Sequence, residues 1–88
     1  MKGIRRSSRF KKDYKKAKKQ HKDTNLLEDV ITKLAKGEPL SPEYKDHPLR
    51  GSLGEFRELH LEPDWLLIYQ ITSQELLLAR VGSHSELL

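Results

Sequence analysis

The apolar pattern of this 88-residue chain changes period once, near residue 55, and that change sets the fold class. Before it, apolar residues recur at helical spacing; after it, they alternate or run in strand-length blocks. Phe10, Tyr14 and Ala17, extended by His21, fall at i, i+4, i+7 and i+11 and predict one narrow helix face. Ser7 or Ser8 supplies an N-cap oxygen, and lysines fill the other sides. Asp23-Thr24-Asn25 offers fresh capping oxygens, with Glu28 three residues after Asn25 in capping-box fashion. Leu26, Leu27, Val30, Ile31, Leu34 and Ala35 then keep helical spacing until Gly37 ends the helix, with Pro39 just beyond. The two helices make a hairpin.

Residues 37–53, with Pro39, Pro42, Pro48, Gly37 and Gly51, read as an ordered loop. In residues 55–61, Leu59 and Leu61 share one face while Phe56, Glu58 and His60 share the other. Glu62-Pro63-Asp64 is a turn, and Trp65 to Ile71 is apolar on both faces, as a central strand would be. Thr72-Ser73-Gln74 turns again into Glu75–Val81, whose Leu76-Leu77-Leu78 run leaves the inward face undecided. Gly3-Ile4-Arg5-Arg6 reads as a short strand on the strength of one Ile. The expected fold is α+β: an N-terminal helical hairpin packed on a small antiparallel sheet, two layers, one domain over residues 1–88.

Charge is split along the chain. Residues 1–22 carry eleven Lys/Arg against Asp13 alone, so a segment of net +10 precedes one of net −6. Such a field steers a domain toward a polyanion. Lys11, Lys12, Lys15, Lys16, Lys18 and Lys19, with Lys45 and Arg57 further on, are the expected RNA or ribosome contacts. A plainly solvated lysine face is the alternative. Only Phe10, Tyr14 and Ala17 could insert into a membrane surface, which disfavours that partner. With no Cys, thiol nucleophiles, disulfides and thiolate zinc sites are excluded. No apolar run nears the ~20 residues of a membrane helix, and no h-region follows the basic start. A reducing cytoplasm is the expected setting.

The chemistry-bearing residues gather in the second half: His47, His60 and His84, with Asp64, Arg80, Arg57 and Lys45. His60 and Asp64 flank the 62–64 turn, where their side chains are expected to approach. RNA cleavage needs a base for the 2′-OH proton and an acid for the departing 5′-oxygen, roles imidazole fills near neutrality. A cation such as Arg80 or Lys45 would balance charge on the phosphorane oxygens. No metal or other cofactor is called for, and no His-x-His or His-x3-His pair preorganises a three-histidine metal site. The residues alone support a basic nucleic-acid binder with the makings of a nuclease.

Tyr44-Lys45-Asp46-His47-Pro48-Leu49-Arg50-Gly51, then Arg57-Glu58-Leu59-His60-Leu61-Glu62-Pro63-Asp64-Trp65-Leu66-Leu67-Ile68-Tyr69, then Arg80-Val81-Gly82-Ser83-His84-Ser85-Glu86-Leu87 closely resemble the YafQ branch of the RelE/ParE toxin superfamily. Phe10-Lys11-Lys12-Asp13-Tyr14-Lys15-Lys16 is similar to that branch's opening helix. The resemblance implies a RelE-like fold and a type II toxin–antitoxin toxin. Such a toxin is a ribosome-dependent mRNA endonuclease, with a cognate antitoxin, mRNA and the ribosome as partners. It implies that His47, His60, Asp64 and His84 form the acid/base constellation, with Arg80 near the scissile phosphate and a 2′,3′-cyclic phosphate product. Family members often end in an aromatic residue, where this chain has Leu88. Two alternatives sit on the same features: a non-catalytic RNA- or ribosome-binding protein, and a ParE-like gyrase inhibitor, which would have no use for the histidines.

Overall fold

Residues 1–51 and 54–87 are described by the computed structural model; the Leu88 position lies outside them. In chain order come β1 (Gly3–Arg6), α1 (Ser8–Lys19), α2 (Thr24–Lys36), a 3-10 turn (Pro42–Tyr44) and β2 (His47–Pro48). They are followed by β3 (Arg57–Glu62), β4 (Trp65–Ile71), β5 (Glu75–Gly82) and α3 (His84–Leu87). The strands form one sheet in the order β1-β5-β4-β3-β2. The expected meander of β3, β4 and β5 is antiparallel throughout. β1 widens it in parallel, with Ile4 opposite Leu76, so the sheet is mixed. β2 lies in the segment expected as loop, since two residues give too short an alternation to be seen.

Both helices follow from their caps and stripes. Ser7 Oγ accepts from the Phe10 amide at 3.0 Å and opens α1. Phe10 and Ala17 are buried along it, while His21, at a φ of 59°, lies exposed past its end. α2 opens two residues earlier than its Asn25–Glu28 capping box required. Asp23 Oδ1 accepts from the Leu26 amide at 3.0 Å, which leaves an apolar residue where a reciprocating acid would stand. Gly37 closes α2 at a φ of 73°, and the Glu38 amide donates back to the Lys33 carbonyl.

The core lies between the helices and one face of the sheet. Leu27, Val30, Ile31 and Leu34 of α2 meet Leu59, Leu61, Leu67, Tyr69, Leu76, Leu78 and Val81 of the strands. Each such side chain contributes roughly 1.5–3 kcal/mol on burial. Leu76 and Leu78 point inward and Leu77 is only partly buried, which settles the leucine run.

A bulge in β5 ties α1 to the sheet. Ile68 pairs with Arg80 and Tyr69 with Leu78, so Ala79 is an extra residue. Ser7 Oγ donates to the Ala79 carbonyl at 2.6 Å, and the Asp13 carboxylate accepts from the Val81 amide at 3.2 Å. The N-cap and the middle of α1 thus satisfy backbone groups at the bulge. Among the described residues, no helix is long and apolar enough to cross a membrane.

Candidate active site

The face of the sheet turned away from the helices carries a row of imidazoles. β3 presents Glu58 and His60 there, two residues apart, and β2 sets His47 opposite Glu58. His84 arrives as the first residue of α3, immediately beyond β5. Ring centroids are 6.2 Å apart for His47 and His60, and 5.7 Å apart for His60 and His84. Three segments of chain distant in sequence therefore converge on one edge, with His60 in the middle. His47 and His84 are exposed, and His60 is partly so.

Each outer ring has its Nδ1 fixed by an oxygen. His47 Nδ1 lies 2.5 Å from the Lys45 carbonyl, which can only accept, so Nδ1 carries the proton. His84 Nδ1 donates to Asp64 Oδ1 at 2.8 Å, and the His84 amide donates to the same oxygen at 3.0 Å. Both rings are left with Nε2 for proton traffic. Asp64 turns to His84 instead of His60, its expected partner across the turn. The ladder shifts register between His60 and Glu62, with His60 opposite Leu66 and Glu62 opposite Trp65. Hydrogen bonds from the His84 amide and ring hold the Asp64 carboxyl below its ordinary 3.8.

Glu58 went unremarked as a functional residue in the sequence. It is 7% exposed although it sits on the outward face, because His47 and His60 cover it. Its Oε1 lies 3.8 Å from His47 Nε2 and 3.7 Å from His60 Nε2, an ion-pair contact when either ring is protonated. The available signal was Glu58-Leu59-His60: an acid and a histidine two apart on a strand share a face. Donor atoms of Glu58, His60 and His84 all lie within 4.8 Å of one another, a set chemically suited to a transition-metal ion. The set contains no His-x-His or His-x3-His pair.

The remaining expected residues fall into other arrangements. Arg80 donates from Nε and Nη2 to the two Asp13 oxygens, each at 3.0 Å. These bonds, ahead of any loss from burial, raise its pKa above the ordinary arginine value, and they commit one side of the guanidinium to α1. Arg57 donates from Nε to Asp46 Oδ1 at 3.1 Å, and Tyr69 Oη donates to the same oxygen at 2.6 Å. Burial first and then Asp46 push the Tyr69 hydroxyl far above its ordinary 10. This latch pins the Lys45-Asp46-His47 backbone, with Lys45 at a φ of 50°, onto the sheet. Lys11, Lys12, Lys15, Lys16, Lys18, Lys19 and Lys45 are all exposed. Lys16 bonds Glu86 of α3, and Lys18 lies over the Tyr14 ring at 5.2 Å.

Glu86 completes the support of His84. Its Oε1 accepts from the Ser83 amide at 2.9 Å, and Ser83 Oγ accepts from the Glu86 amide at 3.3 Å, a capping box around α3. Lys16, with the Ser83 bonds, pulls the Glu86 carboxyl down to about 2.

A helical layer on a mixed sheet thus carries a row of three imidazoles at its open edge. The family described as "Bacterial toxin of type II toxin-antitoxin system, YafQ" matches residues 2–88. The chain belongs to this YafQ toxin family. It is 46% identical over 85 residues to the mRNA interferase toxin YafQ of Escherichia coli K12, covering 96% of this chain and 92% of that one. The crystal structure of the E. coli DinJ-YafQ complex matches with a TM-score of 0.93 and 44% identity, over 100% of this chain and 99% of that one. A metal-bound toxin from Helicobacter pylori matches with a TM-score of 0.94 and 52% identity over the whole of both chains.

Proposed function

We propose that this toxin is an mRNA endonuclease acting on translating ribosomes in the cytoplasm, held in check by a cognate antitoxin. The observation that carries the reading is the convergence of His47, His60 and His84 on one exposed edge, with Asp64 bonded to the last. A phosphodiester laid over the row meets two imidazoles 5.7 Å apart, one taking the 2′-OH proton and the other protonating the 5′-oxygen. The 2′-oxygen bonds to phosphorus as the P–O5′ bond breaks, which leaves a 2′,3′-cyclic phosphate and a 5′-OH. Asp64 keeps His84 aimed; Lys45 lies beside His47 to balance phosphorane charge. Arg80, forked to Asp13, contributes its free guanidinium edge and holds α1 in place.

Primer extension on an mRNA, with and without ribosomes, tests this. Parent protein is expected to cut only the ribosome-bound message, and His84→Ala to fold, bind and cut at least 10²-fold more slowly. Equal cutting by both would remove His84 from the chemistry.

The Glu58, His60 and His84 donors favour one addition. The related H. pylori toxin is a metal-bound structure. A copper or zinc ion held by the same three side chains here would occupy the imidazole lone pairs and inhibit cleavage.

A further inference from the structure

A cleft of about 510 Å³ opens beside His60, at the edge of β3 beyond the short β2. Its lining joins apolar Leu26, Leu61, Pro63 and the Tyr44 ring to Lys45 and His60, with the carboxylates of Glu43 and Glu62 beside them. Tyr44 packs against the core while remaining partly exposed. A second cleft, about 620 Å³, shares Glu62 and Pro63 with the first, and its charged lining is Lys22 against Glu62, Asp64 and Glu86. The histidine row therefore has a pocket on each flank, one aromatic and aliphatic, the other polar and charged.

We propose that the Tyr44 cleft is a nucleobase subsite for the nucleotide next to the cut bond. The inference rests on the acid/base reading of the histidine row. A phosphate over His60 and His84 must place its two neighbouring nucleosides on either side of those rings. Of the two clefts, the first offers an aromatic ring and aliphatic side chains to a base face; the second has no aromatic ring, and its Glu62, Asp64 and Glu86 outnumber Lys22. Bases of single-stranded RNA are free to leave their own stack, and proteins hold them on aromatic side chains with cations nearby for the backbone. Lys45 supplies that cation at the cleft's mouth. His60 lines the same cleft, so its occupant is continuous with the reacting phosphate.

The probe is a ribosome-bound mRNA with 2-aminopurine on one side of the cut site and a 2′-deoxy sugar at the attacking position. Wild-type toxin is expected to quench the fluorophore on one side only. Tyr44→Phe and His84→Ala are expected to quench equally well, and Tyr44→Leu, which keeps the apolar packing, is expected to lose the quenching. With all-ribose mRNA, Tyr44→Leu is expected to raise KM about tenfold, the usual scale of one lost stacking contact. Its melting temperature and antitoxin affinity should be unchanged. No quenching by the wild-type protein at either position would overturn the proposal whatever the variants do. An unchanged KM with weakened antitoxin binding would also overturn it and give the cleft to the antitoxin. Cleavage of the 2′-deoxy message would instead overturn the acid/base reading and leave the stacking measurement standing.

Discussion

The two ends of the histidine row are held by different physics. His47 rides on a loop pinned from below: Asp46 accepts from Tyr69, whose residue is 1% exposed, and from Arg57. His84 stands on a four-residue helix held by Asp64, whose side chain is 69% exposed, and by the Ser83–Glu86 capping box. A hydrogen bond sheltered in a low-dielectric setting resists salt and acid, and one in water does not. The row thus has one stiff arm and one compliant arm. On the proposed reading, His84 is the ring that adjusts to a substrate, and His47 and His60 define where it sits.

Asp64→Ala should give the largest departure. It removes both bonds to His84 and is expected to lower cleavage about 10²-fold with thermal stability unchanged, read from single-turnover rates and melting curves. Loss of stability in step with activity would mean that the exposed arm is structural. Tyr69→Phe attacks the stiff arm. Losing a hydrogen bond to a charged acceptor is expected to cost about 2 kcal/mol in denaturant unfolding, with a smaller fall in rate. If the rate collapses and stability holds, the roles of the two arms are exchanged.

The lysines of α1 give a smaller and separable effect. Neutralising Lys11, Lys12 and Lys15 should reduce the salt slope of ribosome binding by about 1 per lysine and leave the chemical step alone. Lys16→Ala should alter both, because Lys16 also holds Glu86. Equal behaviour of all four lysines would dissolve that distinction. Glu86→Gln gives the smallest effect, about 0.5–1 kcal/mol for a largely solvated pair. A carboxyl lowered from 4.5 to about 2 contributes stability that is present above pH 4.5 and fades toward pH 2. Wild-type and variant unfolding curves should therefore merge as acid is added. A gap that persists at pH 2 would deny the carboxylate its part.

Local features were legible in the sequence and long-range ones were not. The apolar stripe of α1, the Gly37 stop and the limits of β4 follow from spacing and caps within a few residues. Asp23 took the cap from Asn25 because three adjacent oxygens compete for one helix start. The parallel pairing of β1 depends on residues 72 positions apart, and no periodicity encodes it. At the site, the histidines were visible by residue type. Their supports were less so: Asp64 chose His84 over His60 after a register shift, Asp13 claimed Arg80 through a bulge, and Glu58 became buried under two rings.

In the proposed reaction, imidazoles move protons while the RNA's own 2′-oxygen attacks. The measurement that meets it most directly is the chemistry of the 5′ fragment's new end, by mass spectrometry of cleaved, ribosome-bound mRNA. A 2′,3′-cyclic phosphate is predicted. A free 3′-OH, paired with a 5′-phosphate downstream, would mean that water attacked and would contradict the account.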